Sequence, residues 1–288
     1  MRSLLALGAL AIASVASAAD CFDFSGLEEA QRERAETLLL AALDSQALYT
    51  FVGIKPMSSG FASVRVPVTG TSPEETALAL EEAEELRKIL DTFVCGDQLS
   101  ASLLPFAETF EGQRSLDAYL FAHPTFNQSV KTHQGFWTFY GVTPSTPPAE
   151  VVLTFEPDPT VQRFRAFGLL YGYPEFAVDF FVEAELMRRK TGEFVEREFF
   201  QIPSFEREEG AYVYAVPPGH RTTTAELELR ATCEQVLDYY RELRERFIGE
   251  GKPGAAALVR EWLSDGDGGY SIEGAREKAL ASADEDAA

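Results

Sequence analysis

DPTVQRFRAFGLLYGYPEFAVDFFVEAELMRR, residues 158–189, is the most strongly punctuated and most aromatic stretch of the chain. Its punctuation predicts two helices joined by a minimal turn. Asp158 can cap the first helix with Pro159 at its first position, Gly172 can take the left-handed conformation that ends it, and Pro174 opens the second. In the second helix, Phe176, Ala177, Phe180, Ala184 and Met187 fall at helical spacing and predict one wide apolar face. A face of that width needs a partner layer, which points to a packed, helix-rich fold.

C-terminal to this stretch the period changes. Segments 194–202 and 211–216 are rich in aromatic and β-branched residues and read as a hairpin, and alternation over Phe61–Val68 predicts a half-buried strand able to join it. A long helix is expected over Thr223–Phe247, with Leu229, Cys233, Val236, Tyr240, Leu243 and Phe247 as its apolar stripe, and a shorter one near Ala255–Leu263. On the N-terminal side, capping-box spacing at Ser25–Glu28 and Ser72–Glu75 predicts helices running to about Phe51 and about Val94. The segment 97–126 is harder to read. Leu103–Phe110, interrupted by Pro105, is an edge strand or irregular, and Ser115 can cap a short helix to about His123. Pro124 can start another helix that runs through His133 to Tyr140, where Gly141 stops it, and a short helix is expected at Ala149–Phe155.

The expected class is therefore α+β, mainly helical with a small antiparallel sheet: a hairpin at about 194–216, with strand 61–68 available to extend it. Residues 19–272 are expected to form one compact domain, with a subdivision conceivable at the Pro-rich stretch 143–148. The acidic end, 273–288, reads as a disordered tail.

Residues 1–18, MRSLLALGALAIASVASA, place one arginine before an apolar run and end on small residues. They read as a secretory signal peptide cleaved near Ala18, which implies export to the periplasm or cell exterior. Asp20 stands just before Cys21, where lipidation would require a small residue, and no later stretch reaches the roughly 18–20 apolar residues of a spanning helix. The 46 acidic residues against 25 basic ones give a net charge of −21. Such a field repels nucleic acid and favours basic partners or a salty milieu, although acidity also simply maintains solubility.

Three cysteines in an exported chain allow one disulfide and one leftover thiol. Cys233 lies on an apolar helical stripe and reads as a buried thiol. Cys21 and Cys95 both lie just outside expected helices, so the pairing predicted is Cys21–Cys95.

Zincin, nucleophile-elbow, Walker, dinucleotide-binding and C-x-x-C motifs are all absent from the sequence. Four constellations remain. Glu175, Asp179 and Glu183 form an acidic column at four-residue steps, either a solvated face paired with Arg163 and Arg165 or a cation or acid–base site. His133 beside Phe136 and Trp137 is either an ordinary packed histidine or a ligand or proton-transfer group in an aromatic pocket. His220-Arg221 opens a helix at a surface turn where an anion could sit. Asp265–Ile272 has the acidic spacing of a calcium loop but carries Tyr270 at the sixth position and Arg276 at the twelfth, where glycine and glutamate are required.

The expected function is a non-catalytic binding or interaction protein, with a protein partner or a second copy as possible occupants of its aromatic surface. Two alternatives stay open: a motif-less hydrolase using Asp179, Glu183 or His133, and a protein carrying a metal or small cofactor of unknown identity.

Overall fold

The computed structural model describes residues 21–69 and 72–286. The expected leader and its cleavage site near Ala18 lie outside the described residues. Helices α1 (Glu29–Asp44) and α2 (Leu48–Phe51) precede strand β1 (Met57–Pro67), α3 (Pro73–Leu90) and strands β2 (Val94–Cys95), β3 (Leu99–Phe110) and β4 (Gln113–Ala122). Helices α4 (His123–Thr132), α5 (Gln134–Trp137), α6 (Pro148–Phe155), α7 (Gln162–Leu170) and α8 (Glu175–Thr191) follow. The hairpin β5 (Glu198–Ile202) and β6 (Tyr212–Val216) then leads into α9 (Thr224–Phe247), α10 (Ala255–Leu263) and α11 (Ile272–Asp286).

The larger sheet is antiparallel with strand order β1-β4-β3-β2. Its central strand β4 separates two apolar layers by simple alternation. Ala118, Leu120 and Ala122 join the core built with Leu39, Leu86 and Phe93, whereas Tyr119 and Phe121 join a second cluster with Phe126, Trp137 and Phe155. Truncating a ring such as Phe121 to alanine would cost about 3–5 kcal/mol in such a setting.

The α+β class holds, but the sheet is larger than a hairpin. Strand β1 does not extend the β5–β6 pair; it pairs with β4 instead. The helix expected from Ser115 is also replaced by β4. The apolar run ending in Ala118–Ala122 is too short for periodicity to separate a buried helix from a strand covered on both faces. The first helix starts at Glu29 with Glu28 and Gln31 forming its capping box, and it ends at Asp44 rather than running to Phe51. The helix ends there because Ser45 turns extended and the Asp44 carbonyl accepts from the Glu206 N–H, while the Asp44 carboxylate receives hydrogen bonds from Tyr240 and Arg244 of α9.

The segment expected to be a disordered acidic tail forms α11. Ala275 and Ala279 are buried, Trp262 Nε1 donates to the Ala275 carbonyl, and Lys278 Nζ donates to carbonyls at the end of α10. Regularly spaced small residues let this helix pack in spite of its charge.

In the stretch 158–189, Gly172 is left-handed (φ 73°) and Pro174 precedes α8 as expected. Asp158 does not cap α7; its carboxylate accepts from the Thr160 N–H in a local turn, and the helix begins at Gln162. The buried stripe of α8 is rotated from the expected one. Ala177, Val178, Val182, Ala184 and Glu185 are inside, while Phe176 and Met187 are exposed. Gly168 causes the close approach of α7 and α8, since a Cβ there would lie 2.7 Å from Val178 Cγ2.

Cys21 and Cys95 are joined by a disulfide across an antiparallel bridge, and Cys233 is free and buried.

Candidate functional site

Helices α7 and α8 and the β5–β6 hairpin enclose a cleft of about 280 Å³ lined by Phe164, Phe167, Tyr171, Phe181, Phe199 and Tyr214, among others. Alternate residues of the hairpin divide between two roles. Phe200, Ile202 and Tyr212 pack into the core, Phe199, Val213 and Ala215 line the cleft, and Tyr214 reaches both. The rings brace one another: Phe164 meets Phe181 edge-on at 5.4 Å, and Tyr173 packs between Tyr171 at 5.8 Å and Tyr214 at 5.7 Å. Gly168, Ala177 and Ala215 contribute no bulk of their own, which leaves the space open.

Behind Tyr171 lies Lys55, wholly buried in the loop before β1. Its Nζ donates to Gln46 Oε1 and sits 4.6 Å from the Tyr212 ring centroid and 5.5 Å from that of Tyr171. The tyrosine hydroxyls are engaged elsewhere. Tyr212 donates to the Gly172 carbonyl, Tyr49 donates to the Pro203 carbonyl, and Tyr171 shares a hydrogen bond with Ser59. Among the described residues no carboxylate forms an ion pair with Lys55. Desolvation therefore lowers its pKa to about 7, against a smaller upward influence from Cys233. Burial pushes the Cys233 thiol up to about 12, so it is neutral near pH 7.

On the hairpin's other flank, Glu226 of α9 is 1 % exposed and receives hydrogen bonds from Thr223, Tyr214 and His220. Burial would raise its pKa, but the Thr223 backbone N–H, His220, and the Thr223 and Tyr214 hydroxyls outweigh that and hold it below the usual range. The His220 ring stacks on Phe176 of α8 at 5.2 Å, so this carboxylate ties together β6, α8 and the start of α9. His220 is thus committed to a carboxylate rather than free to receive an anion.

The other sequence candidates are not brought together. Asp179 pairs with Arg165 at 2.6 Å, Arg163 instead pairs with the buried Glu156 at 2.7 Å, and Glu175 and Glu183 are exposed. His133 follows α4 and lines a separate shallow cleft with Pro56, Gln128 and Leu169, in which no carboxylate takes part. Asp265 Oδ1 accepts from the Asp267 and Gly269 N–H groups, closing its own loop. Among the described residues, no group of three or more His, Cys, Asp and Glu is placed to hold a metal ion.

Sequence reading missed Lys55 and Glu226. Thr223-x-x-Glu226 has capping-box spacing and could have been found; both reciprocal hydrogen bonds are present. Lys55 left no such local signal.

A larger groove of about 660 Å³ shares Phe199 with the aromatic cleft and is lined by Glu208, Glu209, Glu234, Asp238, Arg230 and Arg241. It is broad and charged, so water competes there for every polar contact. The smaller cleft is where burial of apolar surface supplies a driving force. Comparison of the chain with protein-family models, with curated proteins and with solved structures finds no match.

Proposed function

We propose that the chain is an exported, non-catalytic binding protein whose ligand is a small apolar or aromatic molecule seated between α7, α8 and the β5–β6 hairpin. The observation that carries this reading is the cleft itself, about 280 Å³ of space enclosed by mutually braced rings. That size suits a one- or two-ring molecule, and its lining matches the pattern of apolar walls with few polar groups. Asp179 is ion-paired and His133 lines a different cleft, which leaves the hydrolase alternative without a convergent acid–base pair. The leader-like residues 1–18 and the Cys21–Cys95 disulfide support export.

Native mass spectrometry with indole or 2-naphthol tests the reading. One-to-one adducts are expected with the unmodified protein and are lost in Ala215→Phe, whose ring fills the cleft. A folded thermal transition validates that variant, and Val213→Phe replaces it if it unfolds. Absence of any adduct, or equal adducts in the filled variant, would count against the cleft.

A further inference from the structure

Lys55 and the cleft share one wall. Tyr171 lines the cleft, Lys55 does not, and the Tyr171 ring centroid lies 5.5 Å from Lys55 Nζ. The turn that carries Tyr171 rests on the lysine's own backbone, because a Cβ at Gly172 would come within 3.5 Å of Lys55 Cα and within 3.0 Å of Pro56 Cδ. This amine is wholly buried beside one side-chain acceptor and two ring faces, and among the described residues no carboxylate is paired with it to offset a positive charge. Near neutral pH a substantial fraction is therefore the free amine, the nucleophilic form. The tyrosines do not compete for that role, since burial raises the pKa of Tyr171 and places that of Tyr212 well above its ordinary value.

We infer that Lys55 is a covalent binding site for a small aldehyde or ketone that enters through the aromatic cleft. This rests on the reading of the cleft as a ligand site and adds the ligand's chemical class. The nitrogen lone pair forms a C–N bond to the carbonyl carbon as the C=O π bond opens, and a proton passes from nitrogen to the oxygen to give a carbinolamine. The carbinolamine hydroxyl then leaves with the second nitrogen proton as water while the nitrogen lone pair forms the C=N bond, so the resulting imine needs neither oxidant nor reductant. Access requires the Tyr171 ring to swing aside, which breaks its hydroxyl contact with Ser59. Closure behind the ligand keeps bulk water from the imine and slows its hydrolysis.

The test uses the wild-type chain with benzaldehyde and sodium cyanoborohydride near neutral pH, which reduces any imine to a stable benzylamine. Peptide mapping by mass spectrometry then compares the rate at each lysine, with and without benzyl alcohol as a carbonyl-free competitor. Near pH 7.5 an amine with a pKa of about 7 is free several-hundred-fold more often than an ordinary lysine, and even with gated access at least about tenfold faster labelling is expected. Lys88 and Lys131 are exposed and serve as internal references. Benzyl alcohol should slow Lys55 and leave the references unchanged. Lys55 left unlabelled, or labelled at a rate that benzyl alcohol does not alter, overturns the inference. If benzyl alcohol perturbs the cleft's NMR signals while Lys55 stays unlabelled, covalent capture fails and the cleft reading stands; if neither occurs, both fall.

Discussion

Replacing Lys55 with methionine should stabilise the protein, by an amount that depends on pH in a defined way. The side chain's pKa falls from 10.5 to about 7 on burial. At about 1.4 kcal/mol per unit, this corresponds to a penalty on the order of 5 kcal/mol for holding the protonated amine in the fold. Between pH 7 and 10.5 the unfolded chain carries this proton and the native chain does not, so wild-type stability rises with pH over that window. Below pH 7 both states are protonated and the penalty is complete; above 10.5 both are neutral and it is absent. Methionine fills similar space without titrating, and its one cost is the unpaired Gln46 acceptor, about 1 kcal/mol. Lys55→Met should therefore exceed wild type by about 4 kcal/mol at pH 6, with little change up to about pH 7, and then converge on it by up to about 1.4 kcal/mol per pH unit toward pH 9. Urea denaturation at pH 6, 7, 8 and 9 measures this difference directly. Cys233 ionises at similar pH in both unfolded chains, so its contribution largely cancels. Parallel stability curves for the two proteins would refute the reasoning, because they would mean that Lys55 keeps its proton in the fold throughout.

Other substitutions probe the rest of the architecture. Glu226→Gln should cost about 1–3 kcal/mol at neutral pH; because the folded carboxyl is held low, its stabilisation is present above the unfolded pKa and lost as pH falls through the native one, so the variant's acid denaturation limb should flatten. Gly168→Ala should lower stability by about 1–3 kcal/mol in thermal or urea melts, since the new methyl meets Val178 and forces α7 from α8. Paired replacement of Asp179 and Glu183 by alanine should change stability by no more than about 1 kcal/mol and leave aromatic-probe binding unaffected, as expected of an exposed ion pair. Replacing Cys21 and Cys95 with serine opens a link between residues 74 apart in sequence and should remove about 4 kcal/mol, read as a lower urea midpoint with the same native circular dichroism.

What the sequence made legible follows the range of the interactions involved. Helix α9 was readable because its stripe, from Cys233 through Leu243, and its start at Thr223 are local signals spaced within a few residues. The Cys21–Cys95 link was readable because the helical stripe removed Cys233 from contention. Strand β4 was not readable, since it is a strand only through pairing with β1 and β3, and its apolar end suits a buried helix equally well. The buried face of α8 is partly rotated from the one its own spacing implies, and the contact of Val178 with Gly168 lies on another helix, beyond the reach of that spacing. Lys55 leaves no local signal for a related reason: apart from nearby Gln46, the groups that surround it are the rings of Tyr171 and Tyr212, more than a hundred residues away along the chain. The acidic column of Glu175, Asp179 and Glu183 follows from four-residue spacing alone, but which arginine meets it does not: Arg165 reaches Asp179 while Arg163 is taken by Glu156.

The most direct test of the binding role is an NMR titration of the wild-type chain with benzyl alcohol, read residue by residue. Saturable shifts confined to the surroundings of Phe164, Phe181 and Tyr214, and absent from folded Ala215→Phe, are the predicted result. Shifts centred instead on the charged groove of Glu208 and Glu234, or no saturable shifts at all, would contradict the assignment of the aromatic cleft as the ligand site.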